Sequence, residues 1–89
     1  MQNAEKLGFV LAGKHRKRIL IKLLEGARTP TQLCNELSLL SEQVSRSLKE
    51  LIAEGLVMCP NPQARKGRLY ELTQIGKKIA LQLKERGCE

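Results

Sequence analysis

Two short amphipathic helices joined by only three residues constrain this sequence more than any other feature. The first is predicted over TPTQLCNELS, residues 29–38. Thr29 suits the N-cap, Pro30 suits the first helical position, and Gln32 lies where a capping box needs it. The buried side of this helix is predicted to hold Leu33, Cys34 and Leu37.

The second helix lies in LSEQVSRSLKELIAEGLV, residues 40–57. Its apolar stripe consists of Val44, Leu48, Leu51 and Ile52, which recur at helical spacing. Ser41 is the expected N-cap and Gly55 the expected stop, because glycine accepts the left-handed conformation that ends helices. A helix at 41–54, joined to the first by residues 38–40, makes a helix-turn-helix pattern.

Less regular sequence precedes this pair of helices. Residues 1–13, which include Gly8 and Gly13, are expected to form an arm or a helical turn. A helix is then predicted from Lys14 to a stop at Gly26. The apolar side of that helix consists of Ile19, Leu20, Leu23 and Leu24.

Two short apolar runs follow the pair, on either side of a basic loop. LVMC (56–59) and RLYEL (68–72) suit strands, and PNPQARKG (60–67) between them carries two prolines, a glycine and two cations. This order predicts a β-hairpin with a long tip. Thr73 then caps a last helix, QIGKKIALQLKERG (74–87). The apolar residues of that helix are Ile75, Ile79 and Leu83.

The predicted order of helix, helix, helix, strand, strand, helix is that of a winged helix-turn-helix. Such a fold is mainly α with a small β-hairpin: a three-helix bundle, a two-stranded wing and a C-terminal helix. Residues 1–89 are expected to form a single domain, because a chain of this length buries one small core. Its parts are the N-terminal arm at 1–13, the helix-turn-helix at 29–55, the wing hairpin at 56–72 and the C-terminal helix at 73–87.

The charge balance favours an anionic partner. Sixteen Lys and Arg residues against nine Asp and Glu give a net charge of +7, which suits nucleic acid first and anionic lipid second. No apolar run reaches the ~18 residues that a membrane span needs, so the protein is expected in the cytoplasm. Single-stranded bases stack on aromatic side chains. With only Phe9 and Tyr70 as aromatic residues, the chain favours double-stranded DNA.

Enzymatic chemistry and metal binding find little support in the sequence. His15, the one histidine, lies in the run KHRKR, and no phosphate-binding glycine loop or nucleophile elbow occurs. Cys34, Cys59 and Cys88 include no close pair, so neither a zinc site nor a disulfide framework is expected. Cys34 is expected to be buried and Cys88 to be exposed and oxidisable. We therefore expect no catalytic activity, no metal and no cofactor.

Polar and basic side chains mark two candidate contact surfaces for DNA. In a helix-turn-helix, the N-terminal half of the second helix reaches base edges in the major groove. The outward positions of that half are Gln43, Ser45, Arg46, Ser47 and Lys49. Gln pairs with adenine and Arg with guanine, and Ser is short enough to let the helix approach. In the wing, residues 60–68, the cations Arg65, Lys66 and Arg68 suit the DNA backbone or the minor groove.

Three motifs, in this order, resemble the winged helix transcriptional regulators of the ArsR/MarR-like type, especially small archaeal ones. They are T-P-x-x-L at 29–33, V-S-R-x-L-K-x-L-x-x-x-G-L-V at 44–57 and G-R-x-Y-x-L-T-x-x-G at 67–76. The resemblance implies sequence-specific binding of duplex DNA, usually as a homodimer, to repress or activate transcription. It places the outward residues of 41–54 in the recognition helix and the three wing cations on the wing. Metal-sensing relatives carry paired thiolates or His/Asp sets, which this chain lacks, so metal sensing is not expected.

Spare apolar residues near both ends of the chain predict a homodimer. Leu7, Val10 and Leu11 precede the main stripe of the first helix, and Leu81 lies away from the stripe of the last helix. A symmetric dimer through these residues would present two recognition helices about 34 Å apart. Alternatively, the same residues cap the small core. Two other functions stay open, a winged helix protein-interaction module and a non-specific chromatin architectural protein.

Overall fold

A computed structural model describes residues 2–86 of the chain. Its elements are α1 (Gln2–Leu11), α2 (Lys14–Lys22), a short 3-10 helix (Leu23–Glu25), α3 (Pro30–Leu37), α4 (Ser41–Ala53), β1 (Val57–Met58), β2 (Glu71–Leu72) and α5 (Gln74–Glu85). The prediction of a mainly helical chain with one β-hairpin is confirmed. The expectation for Cys88 falls outside the described residues.

The N-terminal segment, expected as an arm or a helical turn, contains a helix of ten residues, α1. Side chains tie α1 to the rest of the domain. Lys6 Nζ donates to the backbone oxygen of Glu54 at the end of α4, 2.6 Å away. Arg16 of α2 donates to the backbone oxygen of Phe9, and its guanidinium lies 4.1 Å from the centre of the Phe9 ring. Val10 is fully buried in the core, so its assignment as a spare apolar residue is wrong.

The predicted start of α3 is confirmed in detail. Thr29 Oγ1 accepts from the backbone N–H of Gln32 at 3.1 Å, and Gln32 Oε1 accepts from the N–H of Thr29 at 2.9 Å. This reciprocal pair satisfies two amides that the first turn of a helix leaves unpaired. The helix ends at Ser38, which has a left-handed backbone with φ of 56°. The chain therefore turns sharply into the connection before α4.

The two ends of α4 differ in how well the sequence predicts them. Ser41 is the first helical residue and not the N-cap, which is Leu40 in an extended conformation. Leucine has no side-chain acceptor, and instead Gln43 Oε1 accepts from the N–H of Leu40 at 2.9 Å. Gly55 stops the helix as predicted, with φ of 74°. Its N–H donates to Ile52 O at 2.9 Å, which closes the last turn.

One hydrophobic core fills the space between the helices and the base of the hairpin. It consists of Val10, Ile19, Leu20, Leu23, Leu33, Leu39, Val44, Leu48, Leu51, Leu56, Val57, Leu72, Ile79, Ala80 and Leu83. Each fully buried aliphatic side chain contributes about 1.5–3 kcal/mol relative to an exposed one. Cys34 packs against the core but is only half-buried, and Ile52 and Ile75 are exposed rather than part of the buried stripes.

Close backbone contact sets the position of α5 against the hairpin. A Cβ added to Gly76 would lie 2.0 Å from the backbone oxygen of Leu56. The same oxygen accepts from the N–H of Thr73 at 3.0 Å. Because α5 packs directly against Leu56, the residue that begins the hairpin, no residue larger than glycine fits at position 76.

The hairpin is short and has an extra backbone bridge at its base. β1 and β2 are antiparallel, with Val57 opposite Leu72 and Met58 opposite Glu71. Tyr70 exchanges two backbone hydrogen bonds with Arg28, 3.0 and 2.9 Å long. This bridge fixes the base of the wing to the connection that leads into α3.

Candidate nucleic-acid interface

The buried side of α4 fixes which residues point outward. Val44, Ser47, Leu48 and Leu51 are buried, which is the i, i+3, i+4, i+7 spacing of one helix face. Ser47 is only 5% exposed, so the prediction that it lies on the outward face is wrong. Ser47 lines a cleft between α2 and α4, together with Gly13 and His15.

The outward face of α4 is polar and basic. Its exposed residues are Ser41, Glu42, Ser45, Arg46 and Lys49. Together with Glu50 they line one open depression along the helix. Among the described residues, neither Arg46 nor Lys49 has an ion pair. Two cations and two short hydroxyl side chains are thus available to a ligand that lies along this face.

Gln43 is half-buried and already has a partner within its own helix. Its Oε1 accepts from the N–H of Leu40, which leaves Nε2 as the polar group free to bind a ligand. Bidentate pairing with adenine uses both the oxygen and the nitrogen of an amide. Gln43 can therefore donate through Nε2 in the observed conformation, while one of the two lone pairs of Oε1 is used by Leu40.

The wing tip is organised by Asn61, a residue that the sequence analysis did not single out. Asn61 Oδ1 accepts from the N–H of Leu69 at 2.8 Å, and its Nδ2 donates to Gly67 O at 3.3 Å. The available signal was the dipeptide Asn61–Pro62, because Asn before Pro favours turns. The side chain of Asn61 thus holds the two sides of the loop together.

The three wing cations differ in their surroundings. Arg68 Nε donates to the backbone oxygen of Ala64 at 2.7 Å, so part of its guanidinium helps to shape the loop. Arg65 and Lys66 are exposed and form no ion pair with another described residue. Arg65 and Lys66 are therefore the freer contacts for an anionic partner.

The base of the wing borders the outward face of α4. Tyr70 lines a depression with Pro30 of α3 and with Ser45 and Lys49 of α4. Tyr70 itself packs against the core and does not offer a free ring for base stacking. The hairpin and the exposed side of α4 are thus parts of one continuous surface.

Most cations of α2 serve the protein itself. Arg16 Nε lies 3.2 Å from Glu50 Oε1, and Arg18 donates to the backbone oxygen of Leu37 at 2.7 Å. The Arg16 contact joins α2 to α4, and the Arg18 contact joins α2 to the end of α3. The densest basic run of the sequence therefore holds the helix-turn-helix in position.

A four-residue ion network joins α2, the short 3-10 helix, the connection before α3 and α3 itself. Lys22 lies 3.3 Å from Glu25 and 3.4 Å from Glu36, and Arg28 lies 3.2 Å from Glu36 and 3.7 Å from Glu25. The hydrogen bond from Arg28, together with the bond from Lys22 and both positive charges, lowers the pKa of the Glu36 carboxyl. The network is exposed, so each pair adds little by itself.

The four residues assigned to a dimer interface have different environments. Val10 belongs to the core, and Leu7 is half-buried against it. Leu11 is 39% exposed and Leu81 is 51% exposed. These two lie on α1 and α5, which pack against each other. Leu11 and Leu81 are therefore the members of the set that a partner can reach.

Within residues 2–86, no group of three or more His, Cys, Asp and Glu side chains is placed to hold a metal ion. In the same part of the chain, no helix is long and apolar enough to cross a membrane.

His15 is half-buried, and its Nδ1 is enclosed without a hydrogen-bond partner.

The helix-turn-helix and the wing together define a winged helix-turn-helix domain. The family model for bacterial regulatory proteins of the arsR family matches residues 13–58, just over half of the chain. The chain belongs to the ArsR family. The family is one of bacterial regulatory proteins.

Solved structures of bacterial proteins share the fold. A mutant of ZitR from Lactococcus lactis in apo form has a TM-score of 0.78 and 23% identity over 98% of this chain and 63% of its own. The adhesin competence repressor AdcR from Streptococcus pyogenes has a TM-score of 0.75 and 22% identity, over 82% of this chain and 55% of its own. Reduced MarR from E. coli has a TM-score of 0.70 and 29% identity, over 79% of this chain and 53% of its own.

The chain thus spans about half to two thirds of the length of these solved proteins. No curated protein is similar enough to this chain to count as a match.

Proposed function

We propose that this protein binds specific sequences of double-stranded DNA as a homodimer and thereby regulates transcription. In this proposal, α4 enters the major groove and the wing, residues 60–68, contacts the backbone or the minor groove. The observation that supports it most is the outward face of α4. Arg46 and Lys49 are exposed there without an ion pair to another described residue, beside short serines and the base of the wing.

The side chains of α4 suit different parts of the groove. Arg46 presents a planar fork that matches the O6 and N7 acceptors of guanine. Gln43 donates one hydrogen bond through Nε2 while its oxygen caps the helix. Ser45 is short and exposed, which allows close approach of the helix to the bases. Lys49 lies farther along the helix and fits a phosphate. Ser47 is buried against α2 and supports the position of the helix instead.

The wing supplies the sequence-independent part of the binding. Arg65 and Lys66 are exposed cations at the tip and suit phosphate oxygens. Arg68 shares its guanidinium between Ala64 and the DNA. Because the base of the wing borders α4, the same duplex can contact both elements.

The homodimer uses Leu11 and Leu81, with Leu7 at their edge. Their exposure leaves apolar area on α1 and α5 that a symmetric partner can cover. Two recognition helices about 34 Å apart would then meet successive major grooves on one side of the duplex. Sedimentation equilibrium at tens of micromolar protein tests the assembly, and a monomer mass at that concentration rules it out. Leu81→Glu is expected to give a folded monomer.

The first experiment is selection of duplexes from a random-sequence pool, followed by fluorescence anisotropy of the winners and of random duplex. We expect a steep loss of affinity between about 50 and about 300 mM salt, with a log–log slope of about −0.9 per phosphate contacted. We also expect the selected site to bind about 10³-fold or more tightly than random duplex. For substitutions of cations in α4 and the wing, the control is Lys77→Ala, since Lys77 lines a separate depression with Leu24 and Glu71.

The outcomes separate the alternative functions. A steep salt slope without any preferred sequence would indicate a non-specific architectural protein. Absence of DNA binding at low salt would indicate a protein-interaction module, in which the basic wing is the surface for an acidic partner.

A further inference from the structure

Leu40 is an apolar residue in an unusual position. It is the N-cap of α4, and it is 68% exposed, the highest value among the large apolar side chains of residues 5–86. N-caps favour Ser, Thr, Asp and Asn, because their side-chain oxygens accept from the first turn of the helix. Leucine offers no such acceptor, so the stability of α4 does not explain the residue.

The surrounding hydrogen bonds show how the helix tolerates a leucine there. Gln43 Oε1 accepts from the N–H of Leu40 at 2.9 Å and so supplies half of a capping box from the other side. The Leu40 side chain is left projecting into solvent at the start of α4. The same hydrogen bond uses one lone pair of Gln43 Oε1 and fixes the orientation of its amide.

The charge pattern of the first turn favours base edges over phosphates. Leu40, Ser41 and Glu42 carry no positive charge, and the first cation of the helix is Arg46, more than one turn later. An exposed carboxylate at Glu42 repels phosphate oxygens. The N-terminal turn of a recognition helix lies nearest the bases. The apolar group that the major groove offers to a leucine is the C5-methyl group of thymine.

We propose that Leu40 reads a thymine in each half-site through van der Waals contact with its C5-methyl group. This inference rests on the proposed function, because it requires α4 in the major groove. It adds a specificity-determining residue outside the set of polar and basic side chains.

The test removes the methyl group from the DNA and the leucine from the protein. In the selected site, each thymine is replaced singly by deoxyuridine, which lacks only the C5-methyl group. Affinity is measured by anisotropy for the unchanged protein and for the variants Leu40→Ala and Leu40→Ser. The matched control is Ile75→Ala, which removes an exposed apolar side chain from α5, outside α4 and the wing.

We expect one thymine per half-site whose replacement weakens binding of the unchanged protein about fourfold, the effect of one buried methyl group. That difference should vanish in Leu40→Ala and Leu40→Ser and persist in Ile75→Ala. Leu40→Ser supplies a better N-cap, so it should raise the melting temperature while it loses the methyl preference. A Leu40→Ser variant that is more stable but no longer prefers thymine over deoxyuridine would show that Leu40 contacts DNA and does not act through the stability of the fold.

Two results would overturn the inference, and only one of them would also overturn the proposed function. If a preferred site is found but the deoxyuridine effects are the same in Leu40→Ala and the unchanged protein, Leu40 does not read thymine and the proposed function stands. If selection yields no preferred duplex, the proposed function fails and the role of Leu40 fails with it.

Discussion

The two basic helices α2 and α4 use their cations in opposite ways. In α2, Arg16 pairs with Glu50 of α4 and Arg18 donates to the end of α3. In α4, Arg46 and Lys49 are exposed and have no ion pair within the described part of the chain. The net charge of +7 therefore overstates the charge available to DNA. The density of Lys and Arg along a sequence does not by itself locate a binding surface.

Substitution of Arg46 gives the largest expected change and tests the α4 side of this comparison. Arg46→Ala should cost about 1–3 kcal/mol in binding to the selected duplex and relax the preference at one base pair. The side chain is exposed, so the melting temperature should stay unchanged. Anisotropy against the selected site and its single-base variants measures both effects. Equal losses on selected and random duplex would show that Arg46 contacts phosphate and not a base.

Substitution of Arg16 tests whether the cations of α2 stabilise the fold. Arg16→Met removes the ion pair with Glu50, the hydrogen bond to Phe9 O and the contact with the Phe9 ring. Loss of these partly buried contacts should lower the free energy of unfolding by about 1–2 kcal/mol, as measured by urea denaturation. The matched control is Lys17→Met, because Lys17 has no ion pair among the described residues.

Arg16→Met also shows whether Arg16 contacts DNA in addition to stabilising the fold. If Arg16 serves only the fold, the log–log salt slope of DNA binding stays at its original value. A slope reduced by about 0.9 would mean that Arg16 contacts a phosphate, and the contrast between α2 and α4 would be wrong.

The sequence predicts well what depends on neighbouring residues. The capping box of Thr29 and Gln32 forms as expected, and Gly55 stops α4. These features follow from backbone hydrogen bonds across one helical turn, which a few residues determine. The hairpin of the wing is predicted for the same reason, since alternation and turn residues are local signals. Its strands, however, cover only Val57–Met58 and Glu71–Leu72 and not the whole of 56–59 and 68–72.

The sequence predicts less well what depends on distant contacts. Ser47 completes the i, i+3 position of the buried stripe of α4, but a polar residue escapes a search for apolar periodicity. Val10 lies in a glycine-containing segment whose helix depends on packing against the rest of the domain. Which cations of the KHRKR run pair internally depends on Glu50 and on the end of α3, far along the chain. For the candidate site, the sequence therefore identifies the right helix, α4, but not all of the residues that its outward face presents.

A smaller effect is expected from the wing. Lys66→Ala should weaken binding to all duplexes alike and reduce the salt slope by about 0.9 for each protomer on the duplex, which is about eightfold in affinity per protomer at ~0.1 M salt. The physical reason is the loss of one exposed cation that displaces a counterion from the backbone. Salt titrations with selected and random duplex measure the change, and Lys77→Ala should leave the slope unaltered. A loss confined to the selected sequence would place Lys66 at a base edge instead.

The smallest expected effect concerns the ion network that supports the helix-turn-helix. Because Arg28 and Lys22 lower the pKa of Glu36 in the folded protein, the folded state binds fewer protons there than the unfolded state. The stabilisation is present above the unfolded value of about 4.5 and is lost as the pH falls through the lower folded value. Glu36→Gln should thus lower the urea midpoint slightly at about pH 7, and the difference from the unchanged protein should shrink below about pH 4.5. A difference that persists undiminished at about pH 3 would show that the ion pairs of Glu36 do not contribute to stability.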